Sequence, residues 1–253
     1  VPAEVTERTD TTHYSTMDAA GNVVSNTYTI NDLYGAGMTV PGLGFLLNDE
    51  MDDFAAQPGV VNTWGLIQGD ENAIQPRKRP LSSITRTIVA KDGKVVLAVG
   101  SPGGPSIINT VLQVILNVVD FGMDIQEAVE APRFHHQWLP DHIFWEEFGM
   151  SPDTRAALVR MGHTFREKPG SGDLTLIGDA QAIAVDPKLG YLFANVNELG
   201  QVAGLRDHDR TKGPALANGQ GNRVDPTGPY EGVPGGGRFS VRGIGTQQLP
   251  CQQ

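Results

Sequence analysis

Two short apolar runs joined by a four-residue turn constrain the fold of this 253-residue chain more than any other feature. Residues 87–90 and 95–99 are rich in β-branched side chains, and the turn between them contains the pair Asp92-Gly93, which favours a tight hairpin. Apolar residues occupy both faces of each run, whereas a strand with one wet face would alternate with polar residues. The pattern therefore predicts a hairpin that lies between two layers of structure.

Two further hairpins are predicted, one near the start of the chain and one late. In the first, extended runs at 13–17 and 23–30 flank a polar turn at 18–22. In the second, extended runs at 182–185 and 191–194 flank a turn at 186–190.

Helical patterns occupy the middle of the chain. Residues 107–119 carry a broad apolar stripe at helical spacing, formed by Ile108, Val111, Leu112, Ile115, Val118 and Val119. A second helix is predicted after Ser151, which suits an N-cap, with Gly162 as its stop. Strands, then helices, then strands imply layers of sheet and helix.

The overall composition narrows the classes of partner and of targeting. A formal net charge of −10 argues against nucleic acid or an anionic membrane as a partner, since phosphate binding needs clustered Lys and Arg. The single cysteine, Cys251, cannot form an internal disulfide. No run is long and apolar enough to cross a bilayer, and no signal peptide opens the sequence. We therefore expect the sequence to begin within a gene product or after processing, and its ligand to be a small molecule.

Two long stretches have no regular pattern. Residues 55–80 contain several Gly and Pro residues and form a longer connection than compact domains usually have, so this segment is either functional or disordered. From about Leu205 onward the chain is rich in Gly, Pro, Asn and Gln, which predicts a disordered or loosely docked tail.

Two segments could carry nucleophilic chemistry. Residues 9–15, with the sequence TDTTHYS, contain several small hydroxyl residues just before and within a predicted strand. They either simply begin the strand or include a nucleophile. Residues 101–105 join a strand to the first helix, and their adjacent glycines could present N–H groups to a developing oxyanion. A tight strand-to-helix turn explains the same residues equally well.

Three other segments are less specific. Glu50-Met51-Asp52-Asp53 could hold an ammonium group or a cation, although a solvated acidic turn is the commoner explanation, and strand alternation would point Asp53 away from the other two carboxylates. Ser82-Ser83 offers two hydroxyls to an anion, but paired serines are usually turn formers. The pair His135-His136 suggests a metal site, yet neighbouring strand residues face opposite ways, so packed structural histidines are favoured.

Taken together, these segments resemble the small catalytic subunit of the γ-glutamyltranspeptidases, which are N-terminal-nucleophile hydrolases. The matching motifs occur in the family's order between Thr11 and Asn195: TTHYS at 11–15, TYTIN at 27–31, LNDEMDDF at 47–54, KRPLSS at 78–83, GSPGG at 100–104 and APRFH at 131–135. The resemblance implies an α/β fold, the four-layer αββα sandwich, and a division into a precursor segment at 1–10, a catalytic domain at 11–200 and a tail at 201–253.

The resemblance also implies how the nucleophile is made and used. Cleavage of the Asp10-Thr11 bond would free the α-amine of Thr11, which then acts as general base toward its own Oγ. Thr11 would attack the γ-carbonyl of glutathione or a similar compound and form a γ-glutamyl ester, which water or an amino acid resolves. Thr29 matches the residue that orients the nucleophile, and Gly103 and Gly104 match the oxyanion-hole pair.

The same resemblance assigns substrate contacts. The matching residues are Asn31, Glu50 and Asp53 for the α-amino group, and Ser82 and Ser83 for the α-carboxylate. Residues 55–80 correspond to a lid loop, in which Trp64 takes the place of the lid aromatic and its indole N–H can donate toward Asn31.

The resemblance further implies a large-subunit partner that supplies an arginine to the substrate carboxylate, a periplasmic or secreted location, and no metal or organic cofactor.

The sequence departs from the family pattern at four points. Ten residues precede Thr11, the large subunit is absent, Pro105 stands where serine is common, and residues 194–197 differ from the family's C-terminal motif, with no counterpart for the tail after Gly200. Two alternatives follow: a related acylase, such as a cephalosporin acylase or a poly-γ-glutamate hydrolase, and a non-catalytic remnant that binds γ-glutamyl ligands. Retention of Asp53, Ser82 and Ser83 favours γ-glutamyl recognition.

Overall fold

Nine strands and three α-helices make up the regular structure of the residues that can be described. The structure is a computed structural model, and it describes residues 11–18, 20–62, 64–166, 177–186, 190–195 and 239–243. The strands are β1 (Thr12–Met17), β2 (Val23–Tyr28), β3 (Thr87–Lys91), β4 (Lys94–Gly100), β5 (Phe134–His135), β6 (Phe144–Trp145), β7 (Gln181–Asp186), β8 (Gly190–Asn195) and β9 (Phe239–Gly243). The helices are α1 (Ile107–Val119), α2 (Ile125–Glu130) and α3 (Pro152–Arg160). The segment expected at 1–10 lies outside the described residues, as does the tail apart from β9.

Five antiparallel strands form the central sheet, in the order β8-β7-β4-β3-β9. The three predicted hairpins are confirmed as β1–β2, β3–β4 and β7–β8. Asp92 and Gly93 both have positive φ, at 50° and 78°, as the tight turn between β3 and β4 requires. Strand β9 was not predicted from the sequence; it pairs with β3, from Phe239 opposite Lys91 to Gly243 opposite Thr87. The expectation of a disordered or loosely docked tail is therefore wrong for these five residues, because their backbone groups complete an edge of the central sheet.

The central sheet is covered on both faces, as the apolar runs predict. On one face, Leu97 and Val99 are fully buried in a cluster with α2 and with the buried residues Ile107, Val111 and Val114 of α1. The predicted stripe is wrong at Ile108 and Leu112, which are about half exposed because they lie on the side of α1 away from the sheet. On the other face, β1 and β2 pack against β4 and β7. Gly100 at the end of β4 lies directly under the His13 ring, and Ser25 Oγ donates to the carbonyl of Val99 at 3.2 Å. The described residues thus form three stacked layers: helix, sheet and sheet.

The predicted helices have the expected ends, and one helix was missed. Helix α1 spans the predicted residues, and Ser151 caps α3 by accepting from the Thr154 N–H. Helix α2 was not predicted because it has only six residues; its signal is the capping box in which Asp124 and Glu127 each accept from the other's backbone N–H. Within the described residues, every helix is too short or too polar to cross a membrane.

The two adjacent histidines have different surroundings. His135 is buried, with 2% of its surface exposed, so the expectation of a packed histidine is confirmed for it. The same expectation is wrong for His136, which lies nearer the surface, with its Nε2 3.1 Å from the exposed carboxylate of Asp141. The reason is that β5 ends at His135, whose ring contacts Asn109 on α1, whereas His136 lies in the loop that follows the strand.

Candidate active site

A pocket opens where the start of β1, the end of β2 and the loop after β4 come together. It encloses about 420 Å³, including the open space at its mouth. Its lining residues are Thr11, Thr29, Asn31, Glu50, Asp53, Trp64, Leu66, Ser82, Ser83, Ile84, Gly104, Pro105 and Ile107. Nine of the ten predicted site residues therefore meet in one place. The tenth, Gly103, directly precedes the lining residue Gly104.

Thr11 is held at the wall of this pocket by Thr29. The antiparallel pairing of β1 and β2 sets Thr12 opposite Tyr28, so the residues just outside that pair are neighbours. The Thr11 hydroxyl donates to Thr29 Oγ1 at 2.9 Å, and the same oxygen accepts from the Asn31 N–H at 2.9 Å. The Thr29 hydroxyl is fixed by the backbone and in turn fixes the rotamer of Thr11.

The acidic segment is a 3₁₀ turn rather than a strand, so the expectation that alternation separates its carboxylates is wrong. Residues Glu50–Asp53 form the turn, and side chains three residues apart on a 3₁₀ helix lie above one another. Glu50 and Asp53 accordingly both line the pocket. Within the described residues, no group of three or more His, Cys, Asp or Glu side chains is arranged to hold a metal ion.

These two carboxyls share a proton near neutral pH. Burial, the negative charges of Asp53 and Asp49 and a hydrogen bond to Asp53 together raise the pKa of Glu50 to about 7. Burial also raises the pKa of Asp53, while the hydrogen bond from Glu50 opposes that rise. Glu50 is thus the donor and Asp53 the acceptor of this hydrogen bond. With one proton between them, the two carboxyls carry about one negative charge.

Trp64 closes the pocket from the side of the loop at 55–80. Its indole N–H donates to Asn31 Oδ1 at 2.9 Å, which confirms the predicted contact. Its ring also lies over Gly104, where an added Cβ would come within 3.0 Å of Trp64 Cε3. The loop therefore touches both the expected head-group residue Asn31 and the glycine pair.

The glycine pair has backbone angles that other residues rarely adopt. Gly103 has φ of 132° and Gly104 has φ of 54°. Gly104 begins the short 3₁₀ turn Gly104–Ser106, which leads into α1 at Ile107, so Pro105 does not displace the start of the helix. Gly103 lies behind the wall, where an added Cβ would come within 2.7 Å of Ser106 Oγ.

Asn72 joins three walls of the pocket, and no sequence motif points to it. Its side-chain amide donates to the carbonyl of Asp53 at 2.7 Å and also contacts Gln68 in the loop. Its Oδ1 accepts from the Leu81 N–H at 3.0 Å, just before Ser82. One buried asparagine thereby fixes the acidic turn, the loop and the serine segment relative to one another.

His13, two residues after Thr11 on β1, was also not singled out from the sequence, although it is buried on the strand that begins at the pocket. It is 1% exposed, its Nδ1 lies 2.7 Å from Thr27 Oγ1 and its Nε2 lies 3.0 Å from Ser15 Oγ. Burial lowers the pKa of His13 to about 4, with a smaller effect from the charge of Arg86. Alternation along β1 could have found it, because it places His13 on the face opposite Tyr14.

Comparison with known proteins identifies the family. The family model for γ-glutamyltranspeptidase matches residues 2–205. The chain belongs to the γ-glutamyltranspeptidase family. The glutathione hydrolase proenzyme of Pseudomonas sp. (strain A14) is 55% identical over 200 residues, which is 79% of this chain and 35% of that protein. The chain therefore spans about a third of the length of such γ-glutamyltranspeptidase relatives.

Solved γ-glutamyltranspeptidase structures share the fold. A mutant of the Helicobacter pylori enzyme is 55% identical, with a TM-score of 0.66 over 73% of this chain and 96% of that chain. The Pseudomonas nitroreducens enzyme complexed with L-DON is 43% identical, with a TM-score of 0.67 over 77% of this chain and 98% of that chain. The predicted fold class, the αββα sandwich of the N-terminal-nucleophile hydrolases, is thereby confirmed, and the described residues of this chain contribute three of its layers.

Proposed function

We propose that this chain carries the nucleophile and the γ-glutamyl pocket of an enzyme that transfers γ-glutamyl groups from glutathione and related compounds to water, amino acids or peptides. One observation carries the proposal: a hydroxyl nucleophile, two carboxyls and two serine hydroxyls line the same pocket. A γ-glutamyl group ends in an ammonium and a carboxylate, so its recognition needs groups of both kinds beside the nucleophile.

In the proposed reaction, Thr11 Oγ attacks the γ-carbonyl carbon while its proton passes to the α-amine of Thr11. That amine becomes free when the Asp10-Thr11 bond is cleaved. The oxyanion receives hydrogen bonds from the backbone N–H groups of Gly103 and Gly104. When the oxyanion collapses, the carbon–nitrogen bond of the amide breaks, and the amine leaves with the proton. Water or an acceptor amine then takes the γ-glutamyl group from the threonine ester.

The proposed head-group contacts follow from charge. The Glu50–Asp53 pair holds the α-ammonium, and the arrival of this cation releases the shared proton. Ser82 and Ser83 donate to the α-carboxylate. Asn31 and Trp64 close over the same end of the substrate, because the indole is bonded to the Asn31 side chain at 2.9 Å.

We also propose a large-subunit partner derived from the same precursor. The outer face of β1–β2 exposes Tyr14, Val24 and Tyr28, with exposed fractions of 44%, 51% and 57%. A two-stranded hairpin with one apolar outer face gains stability when another layer covers it. The likeness to proenzymes supports residues 1–10 as the end of the preceding subunit and 11–200 as the catalytic domain. Of residues 201–253, Phe239–Gly243 extend the central sheet of that domain. By family likeness alone, we propose a periplasmic or secreted location.

The test is to express the complete gene and follow both processing and turnover. Intact mass should reveal cleavage before Thr11, and the cleaved protein should release p-nitroaniline from γ-glutamyl-p-nitroanilide. Thr11→Ala should abolish both, whereas Thr16→Ala, an exposed hydroxyl on the same strand, should retain both. An uncleaved wild-type protein without turnover would reject the proposal in favour of a binding remnant. A cleaved protein that hydrolyses only other acyl amides would identify a related acylase.

A further inference from the structure

The tip of the lid loop has an anchor outside the pocket. Asn62 folds the tip by accepting from the N–H groups of Trp64 and Leu66, at 3.0 and 2.9 Å. In this turn the carbonyls of Trp64 and Gly65 both accept from Gln137 Nε2, at 3.5 and 3.4 Å. Gln137 also donates to the Leu139 carbonyl at 3.1 Å. One amide hydrogen of Gln137 is thus donated to the Leu139 carbonyl, and the other is shared between the carbonyls of Trp64 and Gly65.

The Gln137 side chain is itself held from behind by His135. Gln137 Oε1 lies 2.9 Å from His135 Nε2, and His135 Nδ1 lies 3.1 Å from the side-chain amide of Asn109 on α1. Because the Gln137 NH₂ group is committed to carbonyls, its oxygen must accept, so His135 carries its proton on Nε2. Nδ1 is then free to accept from Asn109. Asn109, His135 and Gln137 therefore form a row of hydrogen bonds from α1 to the lid loop, in which every donor meets an acceptor.

The histidine in this row stays neutral and fixed. Burial lowers the pKa of His135, which agrees with a single ring proton. The strand around it is clamped to α1 by Gln113, which donates to the Phe134 carbonyl at 2.9 Å and accepts from the Phe134 N–H at 3.2 Å. The row therefore starts on α1, whose first residue Ile107 lines the pocket. It ends on the backbone of Trp64 and Gly65, next to the indole that closes the pocket.

We propose that Gln137 is a positioning residue for the lid: the row Asn109, His135 and Gln137 holds the backbone at Trp64 and Gly65 so that the indole reaches Asn31. This proposal rests on the proposed function for its kinetic consequences. Gln137 is not itself one of the residues that line the pocket, and it acts through the backbone of the lining residue Trp64. Loss of its donor frees the lid tip, so the donor substrate is held less well while the reacting groups stay in place.

The test uses the complete gene product after its own cleavage. Gln137→Glu keeps the size of the side chain but removes the donor, and Gln137→Leu removes both polar groups. Gln126→Leu, a glutamine on α2 that bonds to Glu130, is the matched control. Hydrogen–deuterium exchange should become faster in peptides spanning 59–68 in both Gln137 variants, and it should be unchanged there in the control. Unchanged exchange in the lid would overturn the proposal whatever the kinetics.

A kinetic cycle separates positioning from a general structural defect. Gln137→Leu should raise the KM for γ-glutamyl-p-nitroanilide by roughly 2- to 10-fold, the size of one or two ordinary hydrogen bonds, and change kcat by less than about twofold. The same substitution should have no further effect in a Trp64→Ala background. Independent, multiplying effects would overturn the proposal. If the wild-type protein has no turnover, the proposed function fails, and the exchange experiment still decides the role of Gln137.

Discussion

At the scale of single residues, the pocket depends on a few polar contacts that have fixed directions. The Thr11 hydroxyl donates to Thr29, Thr29 also accepts from the backbone of Asn31, and the Asn31 side chain accepts from Trp64. Thr11, the proposed nucleophile, and Trp64 in the proposed lid loop are therefore connected through two intermediate residues, Thr29 and Asn31. A change at either end should be measurable at the other.

Replacing Trp64 by Phe tests the indole contact alone. The aromatic ring remains over Gly104, but the donor to Asn31 is lost, and one neutral hydrogen bond is worth about 0.5–1.5 kcal/mol. We expect the KM for the γ-glutamyl donor to rise roughly 2- to 10-fold. Steady-state kinetics on the complete gene product measure this change. A KM equal to that of the wild type would mean that the contact does not contribute to substrate binding.

The Glu50–Asp53 pair predicts a pH dependence of binding. Below pH 7 the pair keeps its proton and has about one negative charge; above the Glu50 pKa of about 7 it has two. An ammonium ion is attracted more strongly by two charges, so the affinity for a γ-glutamyl ligand should increase as the pH rises through about 7. Calorimetric titration with a non-hydrolysable γ-glutamyl analogue measures this. Glu50→Gln should remove the step, and a step of equal size in that variant would assign it to another group.

At the scale of secondary-structure elements, much of the fold could be predicted from the sequence. The hairpins and helix α1 follow from periodicity and turn residues over 10 to 20 neighbouring positions. Strand β9 could not be predicted, because its partner β3 is about 150 residues away in the chain and short apolar runs do not specify partners. The 3₁₀ turn at Glu50–Asp53 was missed for a related reason: besides its local bonds, it is held by the distant Asn72, which donates to the carbonyl of Asp53.

Asn72 offers a test of that last point. Asn72→Ala removes the donor at 2.7 Å from the Asp53 carbonyl and the acceptor of the Leu81 N–H, and each lost hydrogen bond costs about 0.5–1.5 kcal/mol. We expect lower stability in urea and a raised KM, since the acidic turn and the serine segment lose their common support. Asn22→Ala, in the exposed turn between β1 and β2, is the control and should change stability by less than about 0.5 kcal/mol. Equal effects of the two substitutions would contradict this role.

At the scale of the whole molecule, the two stacked sheets are in direct contact beside the pocket. His13 from β1 lies on Gly100 at the end of β4, directly before the loop that carries Gly103 and Gly104. The nucleophile, two residues before His13, and the glycine pair are thus positioned by one contact between layers.

Gly100→Ala should disturb both stability and catalysis. An added Cβ would collide with the buried His13 ring, and overpacking of this kind costs about 1–3 kcal/mol. We expect a lower midpoint of urea unfolding and a reduced kcat, because the two layers must move apart where the nucleophile meets the glycine pair. Gly69→Ala is a suitable control: there the added Cβ meets only the flexible end of the Glu71 side chain. If Gly100→Ala leaves kcat unchanged, the contact is structural only.

The pairing of β9 with β3 has a practical consequence for shortened versions of the protein. Residues Phe239–Gly243 occupy one outer edge of the central sheet, and their backbone groups satisfy those of Thr87–Lys91. A version ending near Asn195 would leave that row of donors and acceptors open in a strand with apolar faces. Such an edge recruits strands from other molecules, so truncation for expression should favour aggregates over monomers.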